Sequence, residues 1–342
     1  MRGRFLHALV LSAVGMLTAA CGGGNGASAG AAGGPIVVKF THVAADFTPK
    51  GQAARKFAEL LQARSGGRIE VRVYPSGQLF GDKDEVEALQ ANNVQFIAPS
   101  IGKLISFDPR FQIGDMPFLF ADNAAENRFW RSATGRELLR SLEPKGILGL
   151  STWPNGMRQL MNSRRPVRTP ADARGLKIRI PSGGVLVDTL QAFGAGASVI
   201  PFTDTYTALQ QGVVDGTMAT FDNIENEKYA EVLRYLSVTN MNSLSYGVLT
   251  NTTFWDGLAP DLRQVVTDAM TEATALAEKL SRELDERSMA ALKARIAVTE
   301  LTPAERQQFV DASRPVWATY EPIVGDDLFA AAQAANQPGP VD

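Results

Sequence analysis

From Pro260 to about Ala297 the chain contains no further proline and no glycine, and apolar residues recur at Leu262, Val265, Val266, Ala269, Met270, Ala273, Leu276, Ala277, Leu280 and Leu284, then at Met289, Leu292 and Ile296. That spacing is the one-faced pattern of an amphipathic helix. At 1.5 Å per residue it predicts a helix on the order of 55 Å long. Such a rod exceeds the diameter of a single domain, so it is expected to brace two. The 342 residues agree, since a domain takes roughly 100–200. A hydrophobic content of 45% is enough to fill two cores.

The rest of the chain reads as alternating strand and helix. Ile36–Thr41 is strand-like, and Thr48-Pro49 supplies an N-cap and first-turn proline for a helix with Ala53, Phe57, Leu60 and Leu61 on one face. Gly66-Gly67 ends that helix. Ile69, Val71 and Val73 then alternate with polar positions until Pro75, completing a β-α-β unit and predicting a parallel sheet. A second unit is expected from about Trp153. It has a capped start at Thr169-Pro-Ala-Asp172, a strand through Leu176, Ile178 and Ile180, and a helix after Gly183-Gly184 through Leu186, Leu190 and Phe193. Thr302-Pro-Ala-Glu305 is a capping box, and the end from about residue 331 reads as a flexible tail.

Counting residues excludes several chemistries. The histidines are His7 and His42 and the one cysteine is Cys21, so disulfides, Cys/His zinc sites and His-based triads lack their parts. Lys+Arg 34 against Asp+Glu 36, without a basic block, gives no footprint for nucleic acid. No phosphate loop or nucleophile elbow is present, and acidic runs such as Asp82/Asp84/Glu85 and Asp326/Asp327 read as solvated faces. No enzyme activity, metal or cofactor is expected. The N-terminus begins with Arg2 and Arg4, continues through an apolar run Phe5–Leu17 and ends in Ala19-Ala20 before Cys21, the form of an export signal spanning residues 1–20. Its removal leaves 32 basic residues against 36 acidic ones, a net charge of −4. Gly22–Gly34, almost wholly Gly, Ala, Ser and Asn, is a flexible tether.

Two arginines stand in unusual settings. Arg179 alternates away from Ile178 and Ile180 at a strand end before Pro181, where open α/β sheets bind ligands. Arg158 follows Trp153-Pro-Asn-Gly156, a turn sequence that puts it on a loop. A guanidinium is a planar fork matched to a carboxylate, so two converging would select an organic acid. The other reading of each is an ordinary surface arginine.

The stretches Gly175-Leu-Lys-Ile-Arg-Ile-Pro-Ser182, Gly194-Ala-Gly-Ala-Ser-Val-Ile-Pro-Phe-Thr-Asp-Thr-Tyr206 and Ala208-Leu-Gln-Gln-Gly-Val-Val-Asp-Gly216 resemble the central motif of the solute-binding proteins of TRAP (tripartite ATP-independent periplasmic) transporters, dicarboxylate-binding branch. Pro75-Ser-Gly-Gln-Leu79, Asp115-Met-Pro-Phe-Leu-Phe120, Asn155-Gly-Met-Arg158, Tyr235-Leu-Ser-Val-Thr-Asn240 and Asn251-Thr-Thr-Phe-Trp-Asp256 extend the likeness over about residues 36–330. The resemblance implies an α/β, two-domain periplasmic-binding-protein (type II-like) fold with a ligand cleft between domains and a long helix bracing both. The first domain is expected from 35–155 plus about 243–284, and the second from 156–242 plus about 285–330. It implies that Arg179 clamps the ligand carboxylate, that Arg158 adds a second contact, and that Ser182 and Phe202 line the pocket. Trp153 is read either as pocket wall or as core.

The chain departs from the family where Asn usually completes the clamp. Thr217-Met-Ala-Thr220 stands there, with Ala219 at the Asn position, leaving Thr217, Thr220 or Asn223 as substitutes. The implied function is capture of a small organic acid, a C4-dicarboxylate before a sugar acid or 2-oxo acid, for delivery to TRAP membrane permease subunits. Delivery to a receptor kinase is the alternative. Leu17-Thr-Ala-Ala-Cys21 is similar to a lipoprotein box, placing the protein on the extracytoplasmic face of a bacterial membrane through acylated Cys21. The alternative is a soluble periplasmic protein with an incidental thiol.

Overall fold

The computed structural model describes residues 34–337. The export signal, Cys21 and all but the last residue of the tether lie outside the described residues, as do the last five residues. Eleven strands follow in order: β1 (Ile36–Thr41), β2 (Ile69–Tyr74), β3 (Phe96–Ile97), β4 (Ile147–Met157), β5 (Gln159–Asn162), β6 (Lys177–Ile180), β7 (Gly196–Val199), β8 (Gly216–Ala219), β9 (Tyr235–Val238), β10 (Ser243–Asn251) and β11 (Ala297–Glu300). They form two sheets, β2-β1-β3-β10-β4 and β11-β9-β5-β8-β6-β7, the centres of two lobes.

The β-α-β unit is present. β1 and β2 pair in parallel from Ile36↔Ile69 to Thr41↔Tyr74, and the helix Pro49–Arg64 connects them. Thr48 caps that helix, its side chain accepting from the Gly51 N–H. Gly51 is required there, because a Cβ would run into the carbonyl of Asp46. Neither sheet is purely parallel. β10 runs antiparallel to β3 and β4, and β5 antiparallel to β8 and β9. Each is the strand by which the chain enters its sheet from the other, so it arrives pointing the opposite way.

The crossing from β4 to β5 is a single residue, Arg158. The return crossing, residues 239–242, lies against it, with Arg158 N–H donating to Asn242 O at 2.7 Å and Met241 N–H to Arg158 O at 3.1 Å. The turn expected at Trp153-Pro-Asn-Gly156 is instead part of the eleven-residue β4. β10 pairs along its length, and a register shift between Leu244 and Ser245 absorbs Asn155 as a bulge. The missing N–H of Pro154 and the φ of +134° at Gly156 are accommodated at that bulge. Tertiary pairing has overridden turn propensity.

The long helix runs Pro260–Lys293, 34 residues, or about 51 Å. It stops short of Ala297 because residues 297–300 are taken by pairing with β9. Its first half packs Leu262, Val266, Met270 and Ala277 against Phe40, Phe57 and Phe96 of the first lobe. Leu292 and Met289 join Leu236 and Met161 of the second. The expected tail is a correction. Residues 326–335 form a helix with Leu328, Phe329 and Ala332 buried, and the Asn336 amide bonds Ala121 N–H and Leu119 O. The assignment of about 285–330 to the second domain changes as well. Val316, Val324, Leu328 and Phe329 pack with Phe111, Phe129 and Trp130 of the first lobe, their apolar faces completing its outer layer.

Candidate functional site

Between the lobes lies a cavity of about 30 Å³ lined by Val43, Asp82, Ser100, Leu244 and Tyr246 from the first, by Arg158 at the crossing, and by Arg179, Pro181, Phe202, Met218 and Asn223 from the second. Arg179 projects into it from β6, 3% exposed. Its Nε and Nη2 both donate to the carbonyl of Ile200, at 2.9 and 2.8 Å. Among the described residues no carboxylate pairs with it. Burial pulls its pKa down, partly offset by Tyr229 and Asp82. Burying a charge without a partner is costly, so a dehydrated cation in this setting is chemically suited to an anion.

Arg158 is differently placed. Its Nη1 donates to Asp115 Oδ1 and to Ser243 O, both at 2.9 Å, with both side chains of the ion pair nearly inaccessible. Ser182 does not line the cavity. Its hydroxyl donates to Asp115 Oδ2 at 3.2 Å, so Asp115 ties the crossing to β6's following turn. Gly102 makes room for this contact, because a Cβ there would fall 2.5 Å from Asp115 Oδ2. Phe202 lines the cavity, its N–H reaching Asp82 Oδ2 of the other lobe at 3.4 Å. Asp82 is in turn paired with Lys103 at 3.1 Å.

Of the three substitutes for the missing Asn, two are engaged elsewhere. Thr217 Oγ1 donates to the carbonyls of Arg179 and Met218, and Thr220 Oγ1 donates to Asn155 while accepting from Asn223 N–H. The Asn223 side-chain amide makes no hydrogen bond among the described residues, and Asn223 lines the cavity. Trp153 is not in the wall. It is fully buried, packs on Phe40 and donates from Nε1 to Thr274 of the long helix at 3.0 Å, so core is the correct reading. Asp82, Ser100 and Tyr246 were not foreseen. Pro75-Ser-Gly-Gln-Leu79 ends just before Asp82, but no local periodicity points these three at one space.

A wider groove of about 560 Å³ runs along Glu231, Arg234, Lys293 and Arg295. Its cations are solvated, Arg295 pairing with Glu225 and Lys293 with Glu300, so it lacks the dehydrated charge that marks the inner cavity.

Residues 40–322 match the sequence model of bacterial extracellular solute-binding protein family 7. The C4-dicarboxylate-binding periplasmic protein DctP of Shewanella loihica is 40% identical over 314 residues, 91% of this chain and 93% of that protein. The crystal structure of a TRAP periplasmic solute-binding protein from Shewanella oneidensis, with bound succinate, is 41% identical with a TM-score of 0.86, covering 89% of this chain and all of that one. The sugar acid binding protein of Advenella mimigardefordensis, in complex with galactonate, gives 29% identity and a TM-score of 0.85, over 88% and 99%. The two-domain binding-protein architecture expected from the sequence is the architecture observed.

Proposed function

This chain belongs to bacterial extracellular solute-binding protein family 7, within the dicarboxylate-like branch of the TRAP solute-binding proteins, and from that premise we propose that it captures a C4-dicarboxylate by clamping one carboxylate on Arg179 and hands it to a TRAP membrane permease. Family membership makes it an extracytoplasmic transport protein and not an enzyme. The observation that carries the proposal is the buried Arg179 guanidinium, which has no carboxylate partner among the described residues and can present a two-pronged donor to an anion. The relatives at about 40% identity that bind C4-dicarboxylates or succinate favour that class over the galactonate of a 29% relative. Asn223 and Phe202 complete the wall around the clamped group, and Arg158 holds the crossing.

A cavity of about 30 Å³ has room for few waters, so a four-carbon acid enters only when the lobes part about Arg158 and residues 239–242. Ligand stabilises the closed form through contacts that reach both lobes at once. Acylation of Cys21 tethers the protein to its membrane. A thermal-shift screen over succinate, malate, fumarate, galactonate and pyruvate tests the reading. At a thousandfold excess over Kd the true ligand adds about 4 kcal/mol of stability, and the shift vanishes in Arg179→Ala. No shift with any acid, or an undiminished shift in Arg179→Ala, refutes it.

A further inference from the structure

We propose that Lys50, packed behind the lining residue Tyr246, forms with Ser100 of the first-lobe wall a second carboxylate subsite, and that it makes the protein select a dianion over a monoanion. The proposal rests on the reading of Arg179 as the first carboxylate's partner. Lys50 stands in the first turn of the helix Pro49–Arg64 and is 2% exposed. Its Nζ has three donors, and one hydrogen bond is formed, to Ala98 O at 3.3 Å. The ammonium lies 3.5 Å from the ring centroid of Tyr246, a cavity-lining side chain. Ser100 lines the same cavity, is bridged through its backbone to Tyr246, and its buried Oγ has no hydrogen-bond partner. Tyr246 joins the two: Lys50 packs on its ring just behind the cavity lining, and Ser100, in the lining, is bridged to its backbone.

Nearby acids do not take this role. No carboxylate among the described residues comes within ion-pair distance of Lys50, although Glu85, Asp222, Asp82 and Glu227 all act on it electrostatically. Asp82 is held by Lys103. Asp222 accepts from Asn155 and Asn226. Both Glu85 oxygens lack partners, and burial pushes that carboxyl up to about 8. That shift disfavours its charged form, and neither oxygen reaches the ammonium. Burial also lowers Lys50 to about 8, so an arriving carboxylate would hold the proton that the empty site releases on alkalinisation. The neighbouring His42, held neutral with a pKa of about 3, adds no charge there. Tyr246, raised well above its ordinary value by burial, is likewise neutral.

The test compares succinate with succinamate, its singly charged isostere, by calorimetry on the full mature protein. Charge-assisted hydrogen bonds predict that wild type prefers succinate by about 10- to 100-fold. Lys50→Met should lose most of that preference, with succinamate affinity changed less than threefold, while Arg179→Ala weakens both ligands. Succinate affinity should also fall above pH 8 in wild type and stay level in Lys50→Met. Retention of the preference in a folded Lys50→Met would overturn the subsite while leaving the Arg179 clamp intact. If Lys50→Met does not fold, a wild-type preference near unity, or succinate affinity level from pH 7 to 9, overturns it. Failure of wild type to bind any organic acid would sink the clamp itself.

Discussion

Arg158 and Arg179 line one cavity, yet their surroundings predict opposite consequences on truncation. Arg158→Ala leaves Asp115 buried with only the Ser182 hydroxyl and strips the donor from Ser243 O. Breaking one half of a buried ion pair costs about 3–5 kcal/mol. At about 2–4 °C per kcal/mol for a protein of 150–250 residues, and somewhat less for a longer chain, the ligand-free melting temperature should fall by roughly 5–15 °C. Arg179→Ala removes a cation that has no carboxylate partner among the described residues. Its loss orphans only the carbonyl of Ile200, an effect of about 1–3 kcal/mol that relief of the dehydrated charge offsets. Its ligand-free melting temperature should stay within about 3 °C of wild type, or rise. Affinity should behave in reverse, because the clamped carboxylate then stands unpaired in a closed cavity. That is again about 3–5 kcal/mol, or two to three and a half decades in Kd. Arg179→Lys keeps charge without the fork and should also be impaired. Calorimetric melting without ligand and titration with succinate measure both quantities. Equal melting losses in the two alanine variants, or an Arg158→Ala protein as stable as wild type but unable to bind, would refute the division of labour.

Other expectations follow from the hinge and the N-terminus. Asp285 on the long helix is raised from 3.8 to about 7 by burial and by the neighbouring Asp222, against one bond from Asn123. The native state therefore keeps its proton where the unfolded chain releases it, and stability from this group is full below pH 4 and declines until about pH 7, by on the order of 1.4 kcal/mol per pH unit. Asp285→Asn should match wild type at pH 4 and exceed it at pH 8 in denaturant titrations; parallel profiles would disprove the assignment. Gly156→Ala, at φ +134° with its Cβ 3.0 Å from Asp285 Oδ1, should cost about 1–3 kcal/mol, measured by the same titrations. Cys21→Ser should move the protein from membrane to soluble fractions, since each buried CH₂ of an acyl chain adds about 0.8 kcal/mol of membrane affinity; a wild-type protein already soluble would exclude the anchor.

Local signals carried the frame of the fold. The Thr48-Pro49 start, the alternation through Ile69–Val73, the Thr302/Glu305 capping box and the run from Leu262 to Leu292 each specify an element within a few residues, and each is present. What was illegible depends on distant partners. Trp153-Pro-Asn-Gly156 reads as a turn until β10 pairs with it, and the C-terminal helix is anchored by Asn336 reaching Ala121, 215 residues away. Arg179 was visible because strand alternation and Pro181 frame it. Lys50 was hidden inside a helix start whose cap explained the sequence without it.

The site itself breaks the rule that buried polar groups are satisfied. Arg179 lacks a counter-ion among the described residues, Ser100 Oγ, both Glu85 oxygens and Asp82 Oδ1 lack hydrogen-bond partners, and the Lys50 donors are mostly idle. Arg179, Ser100 and Asp82 line one cavity and Lys50 packs on its lining residue Tyr246, while further unpartnered buried atoms lie along the long helix at Ser281, Asp285 and Ser288. Each unsatisfied group at the cavity destabilises a closed, empty protein, and each is a group that water satisfies when the lobes part or that an acid satisfies when they close on it. The same deficit that disfavours empty closure is therefore the differential contact energy through which a ligand can drive it. On this argument, filling the deficit artificially should close the protein without ligand. A variant such as Arg179→Met, which replaces the unpaired cation with an apolar chain of similar length, should show in small-angle scattering the compact radius of gyration that wild type reaches only with succinate. A ligand-free Arg179→Met curve matching that of an open wild type would show that the unpaired charge does not govern closure.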